Sequence, residues 1–199
     1  QGLTKLKFRT GKDFKKHILG GHAEHKHSIV DSHLWLDPVN AKVLVHEIKR
    51  VLVQVDPDNT GRYALSARVT IEKLDKLLSE VVEILLPVKD KNFFVFHDAY
   101  QYFEKRYQLN PIASVTVSSG PSTSVGRLID IRKKIKNKNV LCIFTEPQFS
   151  PKLVQTVISG TAVKKGILDP IGTSISPGPE MYFTLLNNIS HSISTCFKK

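Results

Sequence analysis

The chain has 199 residues, with 29 Lys and Arg against 18 Asp and Glu, giving a formal charge of +11 at pH 7. At 41% hydrophobic residues it can bury the core of one large domain or a domain and a half. Regular Leu, Ile and Val content excludes disorder over most of the length, and no run of about 18 apolar residues offers a membrane-spanning helix. Residues 1–30 are polar and lysine-rich, with Gly20-Gly21 and the run His22-Ala23-Glu24-His25-Lys26-His27, and read as a mobile surface segment. Asp37 and Pro38 open a helix whose apolar positions are Leu44, Ile48, Val51, Leu52 and Val55, ending near Asp56-Pro57-Asp58-Asn59. A second helix carries Ala67, Ile71, Leu74, Leu78, Val81 and Leu85 in steps of 4, 3, 4, 3 and 4, as far as Pro87. About 25 residues at 1.5 Å each make a rod of roughly 35–40 Å, long enough to connect two domains. Beyond Pro87 short apolar runs, Phe93–Phe96, Ile112–Val117, Val140–Phe144 and Val163–Leu168, alternate with helical segments near 99–107, 121–137, 150–159 and 179–195. That alternation predicts an α/β fold with a parallel sheet covered on both faces.

Open parallel sheets bind ligands beyond the carboxyl ends of their strands. The expected strands deliver His97-Asp98, Thr145-Glu146-Pro147 and Asp169-Pro170 to that edge, and His33 lies just before the first long helix. Imidazole with carboxylate is a ligand set suited to zinc or another divalent transition ion. Each residue also has a plainer reading: His97 as a hydrogen-bonding loop residue, Glu146 as an acceptor of backbone N–H bonds, Asp169 as a turn opener, and Asp98 as the cap of a helix starting near Ala99. His22, His25 and His27 form a surface tract that could bind metal weakly, while His46 and His191 read as structural. No GxSxG elbow, P-loop or GxGxxG occurs. Cys142 and Cys196 read either as two buried thiols or as one disulfide, and the absence of a CxxC pair argues against a thiolate zinc site. The lysines suggest nucleic acid or an anionic surface, but they lack aromatic interleaving or a nucleic-acid motif. The sole methionine is Met181 and residue 1 is Gln, so the chain is expected to have lost a signal peptide, a pro-segment or part of its fold.

His33-Leu34-Trp35-Leu36-Asp37-Pro38, Phe94-Val95-Phe96-His97-Asp98-Ala99-Tyr100-Gln101-Tyr102-Phe103-Glu104, Cys142-Ile143-Phe144-Thr145-Glu146-Pro147-Gln148-Phe149 and Leu168-Asp169-Pro170-Ile171-Gly172 stand in the order found in one family. Over residues 30–199 the chain resembles the periplasmic zinc-binding proteins of bacterial ABC importers, the ZnuA type. The resemblance implies two α/β lobes joined by a long rigid helix, with metal held between them. Residues 1–59 would be a remnant of the first lobe, 60–87 the linking helix and 88–199 the C-terminal lobe. It implies His33, His97 and Asp169 as metal ligands, a disulfide between Cys142 and Cys196, and Zn2+ as the bound ion, with Mn2+ or another divalent ion as the alternative. Manganese-type relatives carry a carboxylate where His97 stands.

The family's first histidine and most of its first sheet have no counterpart, and its acidic, histidine-rich loop is reduced to His22–His27. The expectation is therefore a fragment with weak, water-completed zinc binding, derived from a carrier that delivers zinc to an ABC permease. Loss of histidine ligation on protonation would weaken binding below about pH 6. A monomeric, non-enzymatic periplasmic carrier is expected, with no nucleic-acid partner. The alternatives are a manganese or broad divalent-metal carrier or a surface adhesin of the same family, and, from another class, a zinc-dependent hydrolase using Glu146 as base.

Overall fold

Helix α1 runs from Pro38 to Val55 in the computed structural model, which describes residues 2–9, 14, 30–116 and 124–198. The Asp37 carboxylate accepts a hydrogen bond from Val39 N at 2.9 Å, satisfying a free N–H of the first turn, and Pro38 stands where a missing N–H costs nothing. After a turn at Pro57–Asn59 comes α2, Thr60–Leu85, with 26 residues and a length of about 39 Å. Ala67, Leu74, Leu77, Val81 and Leu85 of α2 are buried, while Ile71 and Leu78 of the expected stripe are half-buried. This helix packs on α1 and on the C-terminal helix. The apolar positions of α1 are only partly covered: Ala41 and Val45 pack toward the core, whereas Ile48 and Val55 are 57% and 72% exposed.

The remainder alternates as expected. Strand β1 (Asn92–Val95) is followed by α3 (Gln101–Tyr107), β2 (Asn110–Ser114), α4 (Val125–Asn137), β3 (Cys142–Thr145), α5 (Lys152–Ile158), β4 (Lys164–Ile167) and α6 (Met181–Phe197). The sheet has the order β2-β1-β3-β4, and all its pairings are parallel. β2 ends at Ser114 rather than running to Val117. It is an edge strand, and Pro111 is tolerated there because its missing N–H need not serve a second neighbour.

Side chains alternate across each strand, and this divides the core. Phe93, Val95, Cys142 and Phe144 face a cluster with Leu74, Leu77 and Val81 of α2, Phe103 of α3, and Leu186, Ile189 and Ile193 of α6. Phe94, Phe96, Ala113, Val115 and Ile143 face a second cluster with Ile131 and Ile135 of α4 and Val154 and Val157 of α5. Cys142 and Cys196 form a disulfide that ties β3 to the last turn of α6 across 54 residues. Closing a loop of that length contributes up to about 4 kcal/mol on a chain-entropy basis.

Two expectations about loops need correction. Residues 2–9 are held down rather than free. Thr4 N donates to Asn40 Oδ1 at 2.8 Å, Leu6 N donates to Tyr102 Oη at 2.9 Å, and Lys7 forms an antiparallel bridge with Val30. These partners are distant in sequence, so no local pattern announces them. Asp98 does not cap a helix, because α3 begins at Gln101 after Tyr100, and the Asp98 carboxylate is instead paired with Arg9. The tract His22, His25 and His27 lies outside the described residues.

Candidate metal centre

The chain leaves β1 toward β2 on one side, then crosses to β3 and β4 on the other. The crevice at the β1/β3 junction is therefore the switch point at which such sheets bind ligands. His97 follows β1 and Glu146 follows β3, so the two meet there. His97 Nδ1 lies 2.7 Å from both Glu146 oxygens, and the buried Tyr100 donates its hydroxyl to Glu146 Oε1 at 3.3 Å. Phe149 stacks on Phe96 with ring centroids 4.8 Å apart and walls one side of His97.

His33 arrives on the short segment before α1, which is anchored to the sheet domain at several points. Trp35 Nε1 donates to Pro170 O at 2.9 Å, and Tyr182 Oη donates to Trp35 O at 2.8 Å. Arg106 makes a bidentate pair with Asp37 at 2.8 and 2.7 Å. The His33 Nδ1 lies 2.7 Å from Asp31 Oδ1, which also accepts from His33 N at 3.0 Å. Asp31 is fully buried. Burial alone would push its carboxyl up, but the bonds from His33, with one from Gln101, hold it below the ordinary carboxylate range.

The two histidines thus share one design. Each carboxylate can only accept, so each imidazole presents its proton at Nδ1 and leaves the Nε2 lone pair for an ion. Their ring centroids are 5.5 Å apart. Two imidazoles bound tetrahedrally through Zn–N bonds of about 2.0–2.1 Å would place their centroids about 5 Å apart, so the observed spacing fits one shared ion.

Asp169 is placed differently. Its Oδ1 accepts from Gln148 Nε2 at 2.7 Å, Ile171 N at 3.2 Å and Gly172 N at 3.0 Å, and its Oδ2 accepts from Thr173 N at 2.6 Å and Thr173 Oγ1 at 2.7 Å. Burial would raise its pKa, but the Thr173 and Gln148 bonds hold it low. Its loop needs Gly172 at φ +72°, a conformation that side chains with Cβ rarely adopt. Among the described residues no group of three or more His, Cys, Asp or Glu side chains is gathered to hold a metal. Strand order gives a reason: Asp169 follows β4, which β3 separates from β1, and two strand spacings amount to about 10 Å. His46 and His191 are exposed on the surfaces of α1 and α6. The orienting role of Asp31 was not legible in advance; its one local signal is the Asp-x-His spacing.

The sequence matches the family described as "Zinc-uptake complex component A periplasmic" over residues 3–196. It is 41% identical to the high-affinity zinc uptake system protein ZnuA of Brucella suis over 225 aligned positions, covering 100% of this chain and 67% of that protein. Its fold is similar to a solved ZnuA structure, with a TM-score of 0.77 and 26% identity over 89% of this chain and 64% of the other. It is also similar to the laminin-binding protein Lbp of Streptococcus pyogenes, with a TM-score of 0.73 and 27% identity over 85% of this chain and 65% of that one. The chain thus spans about two thirds of the length of the relatives it matches.

Proposed function

This chain belongs to the ZnuA family of zinc-uptake components, and on that basis we propose that it captures zinc in the periplasm for delivery to an ABC permease. The observation that carries this reading is the pair of imidazoles at the β1/β3 switch point, each held through Nδ1 by a buried carboxylate. His33 and His97 are the proposed zinc ligands through Nε2. Asp169 is proposed as an auxiliary carboxylate that joins the site only by exchanging some of its bonds to Thr173 and Gln148. Zinc usually takes four ligands, so water completes the shell and binding by this chain is weak. Imidazole ligands favour zinc over manganese, which prefers oxygen donors.

In the same reading, residues 1–59 belong to a first lobe, 60–87 form the linking helix and 88–199 the second lobe, and the carrier works as a monomer. The disulfide suits an oxidising compartment. A hydrolytic role is disfavoured because both oxygens of Glu146, the candidate base, are engaged by His97. Titration of metal-free protein with zinc should show one site of micromolar rather than nanomolar affinity, and His33→Ala or His97→Ala should each weaken it at least about 10-fold. Unchanged affinity in both variants would exclude the site.

A further inference from the structure

In this parallel α/β arrangement every strand begins at one end of the sheet, and α2, α3, α4, α5 and α6 all finish there. Hydrogen bonds at that end join the starts of the strands to the segments that precede them. Asn92 Nδ2 donates to Lys138 O at 2.5 Å, Leu141 N to Asn92 O at 3.3 Å, Lys164 N to Leu141 O at 2.9 Å, and Lys164 Nζ to Lys198 O at 2.5 Å. The base so formed, at the opposite end of the strands from His97, carries Lys89, Lys91, Lys136, Lys138, Lys164 and Lys198. All but the half-buried Lys89 are exposed. No ion pair joins any of the six to an acid among the described residues; the acids nearest in sequence are Asp90, between Lys89 and Lys91, Asp169, beyond the far end of β4 from Lys164, and Asp130, which pairs with Lys134.

Lysines at helix C-termini offset the negative ends of the helix dipoles, which accounts for some of them. It does not account for Lys91 and Lys164, which stand at strand starts, or for the apolar residues among them. Leu86 is 60% exposed and Leu141 40% exposed on the same base. Nucleic acid would call for aromatic stacking or groove-reading groups. Leucines set among unpaired lysines instead match a lipid headgroup layer, where cations meet phosphates and short apolar side chains enter the boundary.

We propose that the base of the sheet domain is a docking surface for an anionic phospholipid bilayer, with the His33–His97 end facing away from the lipid. The attraction is electrostatic and graded, with each lysine near an anionic surface contributing about a five-fold effect on binding. Because the two surfaces lie at opposite ends of the strands, zinc occupancy and lipid docking are independent.

Co-sedimentation of the full 199-residue chain with vesicles of equal parts phosphatidylglycerol and phosphatidylcholine tests this. Binding is expected at low ionic strength and should weaken steeply toward about 0.15 M salt. The triple variant Lys136→Glu, Lys138→Glu, Lys164→Glu should bind at least about 100-fold more weakly. A control triple, Arg62→Glu, Arg68→Glu, Lys152→Glu, carries the same net charge change on exposed positions elsewhere and should keep most of the binding. Circular dichroism of both variants should match the parent, and zinc affinity should be the same with and without vesicles. Equal binding to pure phosphatidylcholine, equal losses in the two triples, no binding to anionic vesicles at low salt, or displacement from vesicles by stoichiometric duplex DNA would each overturn the proposal.

Discussion

Asp31 and Glu146 give His33 and His97 what neither ring has alone, a fixed tautomer and a fixed direction. Replacing either carboxylate by the matching amide, Asp31→Asn or Glu146→Gln, keeps the shape but lets the amide present N–H toward Nδ1. Zinc affinity should fall about 10–100-fold in each variant, while thermal unfolding in the absence of zinc reports any purely structural loss. Isothermal titration checks the first effect and calorimetry the second. A different consequence attaches to Glu104 on α3, which is buried with Oε2 2.8 Å from Arg9 Nη1. Burial pushes its carboxyl from 4.5 to about 7, against the pull of Arg9 and with a further push from Asp98. Between those values the unfolded chain releases the proton and the folded chain keeps it, so stability falls as pH rises through that window. The slope amounts to about 3 kcal/mol at most. Glu104→Gln should flatten it, as measured by denaturant unfolding at about pH 5 and about pH 7.5. His33 and His97 were legible as candidates because His33 stands just before a recognisable helix and His97 just after a recognisable strand. Arg9 was not, because its partner Asp98 lies 89 residues away and no periodicity links them.

The elements themselves were readable because periodicity is a local property. The α2 spacing matched its buried face closely, and the strands lie near the short apolar runs expected to form them. What sequence could not show was where a face goes uncovered, as at Ile48 and Val55 of α1, since coverage is decided by partners elsewhere in the chain. Nor could it show that Lys164–Ile167 would serve as an edge strand. That strand has Gly166 in register with Phe144, and a Cβ at 166 would run into the Phe144 ring. The ring cannot retreat easily, because it is fully buried and packs edge-on against Phe93 at 5.7 Å. Gly166→Ala should therefore destabilise by about 1–3 kcal/mol, the usual range for overpacking. Denaturant titration is the check, and a neutral result would mean that β4 shifts to make room.

Across the whole molecule, α2 acts as a spine. One side carries α1, which with α3 holds the segment that follows His33, and α2 also packs on α6 and shares a core cluster with the sheet that bears His97. Trp35, Asp37 and Tyr182 bind the two parts together beside the site. With the segments that carry both proposed ligands held to one another by these bonds, zinc binding should involve local loop adjustment and no large closure. Small-angle scattering with and without zinc should give the same radius of gyration, and a marked compaction would contradict this. The +11 charge, which at first reading suggested nucleic acid, is gathered in part on the sheet base, away from the histidines. Trp35, the only tryptophan in the chain, has its ring centroid 5.4 Å from that of His33 and its indole N–H bound to Pro170 O. The proposed ligand His33 therefore has an optical probe beside it, and loading and release of zinc should be readable as a change in native fluorescence, without a label and in real time.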